Sequence, residues 1–432
     1  MRRTNDAKKH GAVDPVEPTA SNVNDVDYLD REGALAILGV KKESLYTYAS
    51  RGLIRTVTEP GKRTRLYRKT DVEKLRTRAG AKSGAQRVAS SLRYGEPVVQ
   101  TWVCEITDAG PRYRGHLATT LATEGRSLEF VSELVWGGMP PLRDLPWSDI
   151  EPKSTVDLRS FSRKQRSGFS PLAALAHIAV ELASVETVGG VSPHVDARTA
   201  GVCVLNAFAG VSGNLGARGV YQPQGENEYI AERLLKGYGL TRRPEQEKLL
   251  RLLNTALVLS VDNELSTPTF CARISASTGA DLYSCVVAAI MAQGGPMQIG
   301  GASYLEAYLQ AVLQSPRDVR HNGQDIPCFD HPLYNKDPRA ALIIESIASL
   351  RTTSSVRTRL LRFVDRIYED SGRYPNLFAA LVILSMSLEL PSGSAAFLHT
   401  LGRSAGWIAH AAEQRLSGTM LRPRARYMGG IV

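Results

Sequence analysis

The chain lacks any uninterrupted apolar run of the roughly 18 residues that a membrane helix needs, and no membrane association is expected. Its first residues are polar and charged, without the apolar centre of a secretory signal, so the cytoplasm is the expected compartment. Cysteine is scarce as well. The five thiols, Cys104, Cys203, Cys271, Cys285 and Cys328, are odd in number, widely spaced and never in a Cys-x-x-Cys pair. That excludes a disulfide framework and a zinc site as the organising device, and no metal is assigned. Acidic residues are depleted in one stretch: from Lys41 to Arg93 only Glu43, Glu59, Asp71 and Glu73 stand against fifteen Lys or Arg. The formal charge of +10 for all 432 residues is therefore concentrated there, and a localised basic segment points to a polyanion as its partner.

What is present is enough apolar residue, 43% of the chain, for a large core spread over two or three domains. Residues 1–25, polar with few aliphatics, read as a disordered tail. Asp30 to Val40 then reads as a short helix stopped at Gly39, and Lys42 to Arg51 as a second helix closed by Gly52. Arg55 to Arg68 holds two β-prone runs around Pro60-Gly61, and Thr70 or Asp71 can cap a third helix through Val72 and Leu75. Helix, turn, helix, basic hairpin, helix over residues 26–78 resembles the winged helix-turn-helix domains of the MerR and excisionase type. The resemblance implies that Ser44, Tyr46, Thr47 and Tyr48 face the major groove of double-stranded DNA while Lys62, Arg63 and Arg65 reach phosphates. A solvated basic face or a protein-contact module is the plainer alternative. Residues 79–95, rich in Ala, Ser, Gly and Arg, read as a linker.

From residue 96 the pattern changes. Pro97 to Cys104 is β-like, and Tyr113-Arg114-Gly115 leads into the apolar run Ser127 to Gly138. Beyond it, apolar stripes at helical spacing, separated by Gly, Pro and Ser, predict a mainly α body. The predicted helices are Pro171–Ala183, Glu228–Lys236, Glu245–Val261, Ser284–Ala292, Tyr304–Leu313, Ala340–Leu350, Ser355–Glu369, Asn376–Leu388 and Ser394–Arg415.

The segment Phe329-Asp330-His331-Pro332-Leu333-Tyr334-Asn335-Lys336-Asp337-Pro338-Arg339-Ala340 resembles the signature of the citrate synthase family. The likeness runs over residues 96–432 and implies all-helical large and small domains, with the small domain inserted at about 280–385. It also implies a condensation of acetyl-CoA with oxaloacetate. That chemistry needs a carboxylate base at the methyl group, donors on the thioester and ketone oxygens, and arginines for the carboxylates. By this resemblance His331 polarises the ketone. Arg403, in Leu401-Gly402-Arg403-Ser404-Ala405-Gly406, clamps a carboxylate, Arg422 is donated across a homodimer interface, and Arg339 belongs to the CoA region. The chain also departs from the pattern. Cys328 and Asp330 stand where the family has glycines, and Asn263 stands in for a substrate-binding histidine. Gln298 or Ile299, with one residue inserted, replaces the histidine that stabilises the enol, and Phe378 replaces the aspartate base.

Three readings remain open. One is an acyl-CoA and 2-oxoacid condensing protein with altered or weakened catalysis, using a CoA thioester as substrate and no further cofactor. The second is a dimeric DNA-binding regulator whose body senses a CoA thioester or a small dicarboxylate. The third is a body that serves only as a dimerisation scaffold.

Overall fold

The computed structural model describes residues 28–38, 42–50, 54, 56–58, 65–69, 71–72, 99–147, 170–186, 195–216, 219–314, 326–352 and 354–422. The chain divides into one unit over residues 1–100 and another over 101–432.

In the first unit Asp30 starts the leading helix, its Oδ1 accepting the Gly33 N–H at 2.7 Å as an aspartate N-cap does. Helix α1 (Arg31–Leu38) and helix α2 (Lys42–Ser50) follow closely. Strand β1 (Tyr28–Leu29) and strand β2 (Thr56–Thr58) flank strand β3 (Arg65–Arg68) in an antiparallel sheet of order β1-β3-β2. Ala34, Leu38, Leu45, Ile54, Tyr67 and Val72 form its small core. Strand β1 was not foreseen. The tail, the linker, Lys62 and Arg63 lie outside the described residues.

The second unit opens on an antiparallel meander of β4 (Cys104–Thr107), β5 (Gly110–Tyr113) and β6 (His116–Leu117). Arg114 at φ 49° and Gly115 at φ 87° turn β5 into β6; two consecutive left-handed residues are what a tight hairpin of this hand requires. The β-like run ending at Cys104 is corrected: the strand begins there instead. The Trp102 N–H goes to the Glu413 carboxylate at 2.7 Å and the Val103 N–H to Thr101 Oγ1 at 3.1 Å, so these donors are engaged by side chains rather than by a neighbouring strand.

Helices make up the remainder. They are α3 (Ala118–Thr123), α4 (Leu128–Gly137), α5 (Pro171–Glu186), α6 (Ala197–Ala209), α7 (Ser212–Leu215), α8 (Ile230–Gly237), α9 (Gln246–Ser260) and α10 (Thr267–Ser277). They continue as α11 (Leu282–Gln293), α12 (Gly300–Gln314), α13 (Pro338–Ala348), α14 (Ser355–Ser371), α15 (Leu377–Ser387) and α16 (Ser394–Ser417). Ser127, Asp196, Asp281, Asp337, Ser354 and Asn376 each begin a helix by accepting a first-turn N–H. Among the described residues no helix is long and apolar enough to cross a membrane.

Helix α16 is the axis of this unit, buried continuously from Ser394 to Ala411 and packed by α6, α9, α10, α11 and α15. Two glycines let it come close. A Cβ on Gly402 would lie 2.5 Å from the Leu257 carbonyl oxygen, and one on Gly406 would lie 2.2 Å from that of Val261 and 2.3 Å from Asp262 Oδ2. The C-terminal end of α9 and the Asp262-Asn263 segment are thereby held against Arg403. Tyr113 secures the same end from the sheet, its buried hydroxyl donating to the Val258 carbonyl at 3.1 Å.

Candidate functional site

At the start of α13 the N-cap Asp337 and Arg339 in the first turn establish the centre of the site. Asp337 Oδ1 accepts the Arg339 N–H and Nε–H, both at 3.0 Å, while Oδ2 accepts Arg339 Nη2 at 2.9 Å and the Leu377 N–H at 3.1 Å. Both side chains are almost wholly buried. Burial opposes ionisation of Asp337, but the Arg339 charge and the hydrogen bonds outweigh it and hold the carboxyl below its usual range. Arg339, expected in the CoA region, is thus engaged with Asp337 and turned toward His331.

His331 lies in the loop ahead of α13. Its Nδ1 accepts the Leu333 N–H at 3.1 Å, a contact that needs the ring proton on Nε2. Arg339 Nη2 stands 3.3 Å from that Nε2. Burial first, then the Arg339 charge, push the imidazole down to about 4, so it is neutral near pH 7. The two contacts ask for opposite tautomers of the neutral ring, since arginine only donates and its contact needs a bare Nε2. Tyr334 packs on the ring at 4.7 Å. Asp330 is exposed and its Oδ1 accepts the His331 N–H at 2.8 Å, so this carboxylate is turned onto its own loop. Cys328 takes φ 66°, a left-handed conformation that suits glycine and strains a side chain-bearing residue.

The loop is joined to α15. Asn376 donates from its backbone to the Cys328 carbonyl at 2.9 Å and from Nδ2 to the Asp330 carbonyl at 2.9 Å, and its Oδ1 caps Phe378 and Ala379. Phe378 consequently projects from the first turn of α15, beside the His331 loop, where its ring meets His399 of α16 edge to face at 4.9 Å. No sequence signal singled out His399 beyond its place one helical turn before Arg403, on the same face.

Arg403 is buried. Its Nη2 donates to Ser266 Oγ at 2.9 Å, and Nη1 is 3.9 Å from Asp262 Oδ2. Asp262 Oδ1 accepts the Glu264 N–H at 2.8 Å and lies 3.3 Å from His410 Nε2. Burial again opposes its charge, but His410 and Arg403 together hold the carboxyl down. The next residue, Asn263, keeps its Oδ1 buried without a hydrogen-bond partner. Asp262, Ser266 and His410 thus belong to the site although the sequence did not mark them.

Gln298 is half-buried in the turn before α12, and the adjacent Ile299 is fully buried. The turn is tight: a Cβ on Gly300 would lie 2.4 Å from the Gly294 carbonyl oxygen, and one on Gly301 2.7 Å from that of Pro296 and 3.7 Å from Cys328 Sγ. Gln298 is therefore carried on a loop that touches the His331 loop. Arg422 is exposed at the end of the described residues and joins none of these contacts within the chain. In the first unit Tyr46 and Arg65 are exposed, Lys42 lies over the Tyr46 ring at 5.8 Å, and Ser44 and Tyr48 are half-buried, Tyr48 against the small core. Thr47 lies in α2, and its side chain is outside what the structure describes.

The family model for the C-terminal domain of citrate synthase matches residues 93–424. Citrate synthase of Haloferax volcanii is 30% identical over 205 residues, an alignment spanning 44% of this chain and about half, 54%, of that protein. The Synechocystis citrate synthase is 24% identical over 362 residues, 78% of this chain and 89% of its own length. Among solved structures, Thermoplasma acidophilum citrate synthase, in a ternary complex with carboxymethyl coenzyme A and oxaloacetate, has a TM-score of 0.64 at 23% identity. It covers 78% of this chain and 95% of the other. The Pyrobaculum aerophilum citrate synthase has a TM-score of 0.59 at 22% identity, over 78% and 91%. With the helical body, the His331 loop and the buried Arg403 described, this match over most of its length means that the chain belongs to the citrate synthase family.

Proposed function

We propose that the body joins the carbon next to an acyl-CoA carbonyl to the ketone of a 2-oxoacid such as oxaloacetate, with weakened catalysis relative to its family. The observation that carries this reading is the close approach of His331 Nε2 and Arg339 Nη2, 3.3 Å apart. In the tautomer that the Leu333 N–H calls for both are donors, and a ketone oxygen set there would accept from both. Arg403, whose only ionic partner among the described residues is the loose contact to Asp262 at 3.9 Å, suits a carboxylate of the same ligand. Asn263 and Gln298 supply amides able to donate to the ligand and to the thioester oxygen, and Arg422 of a second copy would complete the carboxylate clamp. Thiol release from acetyl-CoA in the presence of oxaloacetate tests the reading, with His331→Ala as control. Release by the parent and its loss in the variant support it, and no release from folded protein that binds acetyl-CoA rejects it.

A second reading is favoured by one specific observation. Phe378 meets the imidazole of His399, and a phenyl ring takes no proton. On this reading the body is a ligand-sensing dimer, and the first unit, with helix α2 and exposed Arg65, binds double-stranded DNA. Absence of DNA binding at low salt would reject it.

A further inference from the structure

We propose that His399 is the catalytic residue that removes the proton from the carbon beside the thioester carbonyl, which deepens the condensing reading and rests on it. The imidazole is buried, with 6% of its surface exposed, and Nδ1 has no hydrogen-bond partner. It stands at 4.9 Å from the Phe378 ring, where the family resemblance sets a carboxylate. Packing alone does not account for it: an apolar ring in this place would fill the same space without stranding a polar atom. Asn263 Oδ1 and Tyr334 Oη are likewise buried without hydrogen bonds; Asn263 lies on the segment whose Ser266 takes Arg403 Nη2, and Tyr334 packs on His331. Such a grouping suits a polar ligand.

His399 is held neutral by burial first and then by the charges of Arg403 and Arg339, the two cations that act on it. A neutral imidazole offers a lone pair, and a carboxylate bound at Arg403 would offset one of those charges and raise its basicity. Nδ1 carries no hydrogen bond, and as the Nε2–H tautomer the neutral ring keeps its lone pair there. In the step, the C–H bond breaks and its proton passes to the His399 ring nitrogen. The electron pair becomes the C=C bond of the enolate, whose oxygen faces the Gln298 amide. The enolate carbon then attacks the ketone carbon of the 2-oxoacid. The new alkoxide accepts a hydrogen bond from His331 Nε2–H, and the proton held by His399 returns to it.

Deuterium washout from trideuterioacetyl-CoA in ordinary water tests this, with malate occupying the carboxylate site but offering no ketone. The parent protein is expected to exchange. His399→Gln should slow exchange about 10²- to 10⁴-fold, the span of a general base, while acetyl-CoA affinity holds, and Phe378→Asp in that background should restore it. If His399→Gln fails to fold, His399→Phe carries the same comparison. Equal washout in parent and variant overturns the assignment of His399 and leaves the condensing reading standing. No washout and no thiol release from parent protein that binds acetyl-CoA overturns both.

Discussion

Asp337 and Arg339, two residues apart, face each other through two hydrogen bonds of 3.0 and 2.9 Å in the buried centre of the site, and the same carboxylate takes the Leu377 N–H. One ion pair thus joins the His331 loop to helix α15. Asp337→Asn would leave a buried guanidinium without its counter-charge, and a loss of about 3–5 kcal/mol is expected, read from chemical denaturation. The acid response has a definite sign. Because the folded carboxyl is held below its usual value, its stabilisation is complete above about pH 4 and declines as pH falls further, toward the lowered value. The Asn variant should lose that part of the acid transition.

His331 should stay neutral far below the usual histidine range, because burial and then Arg339 push it down to about 4. The unfolded ring, near 6.5, binds protons the folded one refuses, so its contribution to stability is complete above about pH 6.5 and is lost as pH falls toward 4. A titration of ring carbons by NMR should give a midpoint near 4 for His331; a midpoint near 6.5 would contradict the burial and the charge environment assigned to it.

Gly406→Ala should disturb the site without touching a ligand. Its Cβ would sit 2.3 Å from Asp262 Oδ2, forcing α16 away from the end of α9 and displacing Arg403. A destabilisation of about 1–3 kcal/mol with weaker oxaloacetate binding is expected, measured by thermal melting and calorimetry. Unchanged affinity would mean that Arg403 is not set by this crossing.

Phe378→Asp combined with Gln298→His restores the carboxylate and imidazole that the family resemblance calls for. Turnover of acetyl-CoA with oxaloacetate should rise by about 10²-fold or more. Turnover that stays level or falls would show that more than these two side chains separates this site from its relatives.

On the DNA-binding reading, Arg63→Ala and Arg65→Ala should each weaken binding to duplex DNA and lower the salt slope by about one counterion. Acetyl-CoA affinity should not change. An altered acetyl-CoA affinity would argue against a separate role for the first unit.

Much of the helical body was legible because its pattern is local. Along α14 the buried Leu360, Phe363, Val364 and Ile367 recur at helical spacing, with arginines between them. Helix α6 carries an unbroken buried run from Ala200 to Ala209, in which period cannot separate helix from strand. Helix α10 buries only the small Pro268, Ala272 and Ala276 at helical spacing, beside the polar Thr269 and Arg273, a weak stripe to read from sequence. The site divides in the same way. His331 and Arg403 sit in recognisable local segments, whereas Asp262 reaches His410 across 148 residues and Phe378 meets His399 only through the packing of α15 on α16. Nothing in a linear sequence pairs those residues.

The most direct measurement is the fate of acetyl-CoA labelled with ¹³C in its methyl group, incubated with oxaloacetate and followed by mass spectrometry. The account predicts that the label appears in a product containing all the carbons of oxaloacetate, and that His331→Ala abolishes it. Label recovered only as free acetate, or only as unreacted thioester bound to folded protein, would contradict carbon–carbon bond formation at this site.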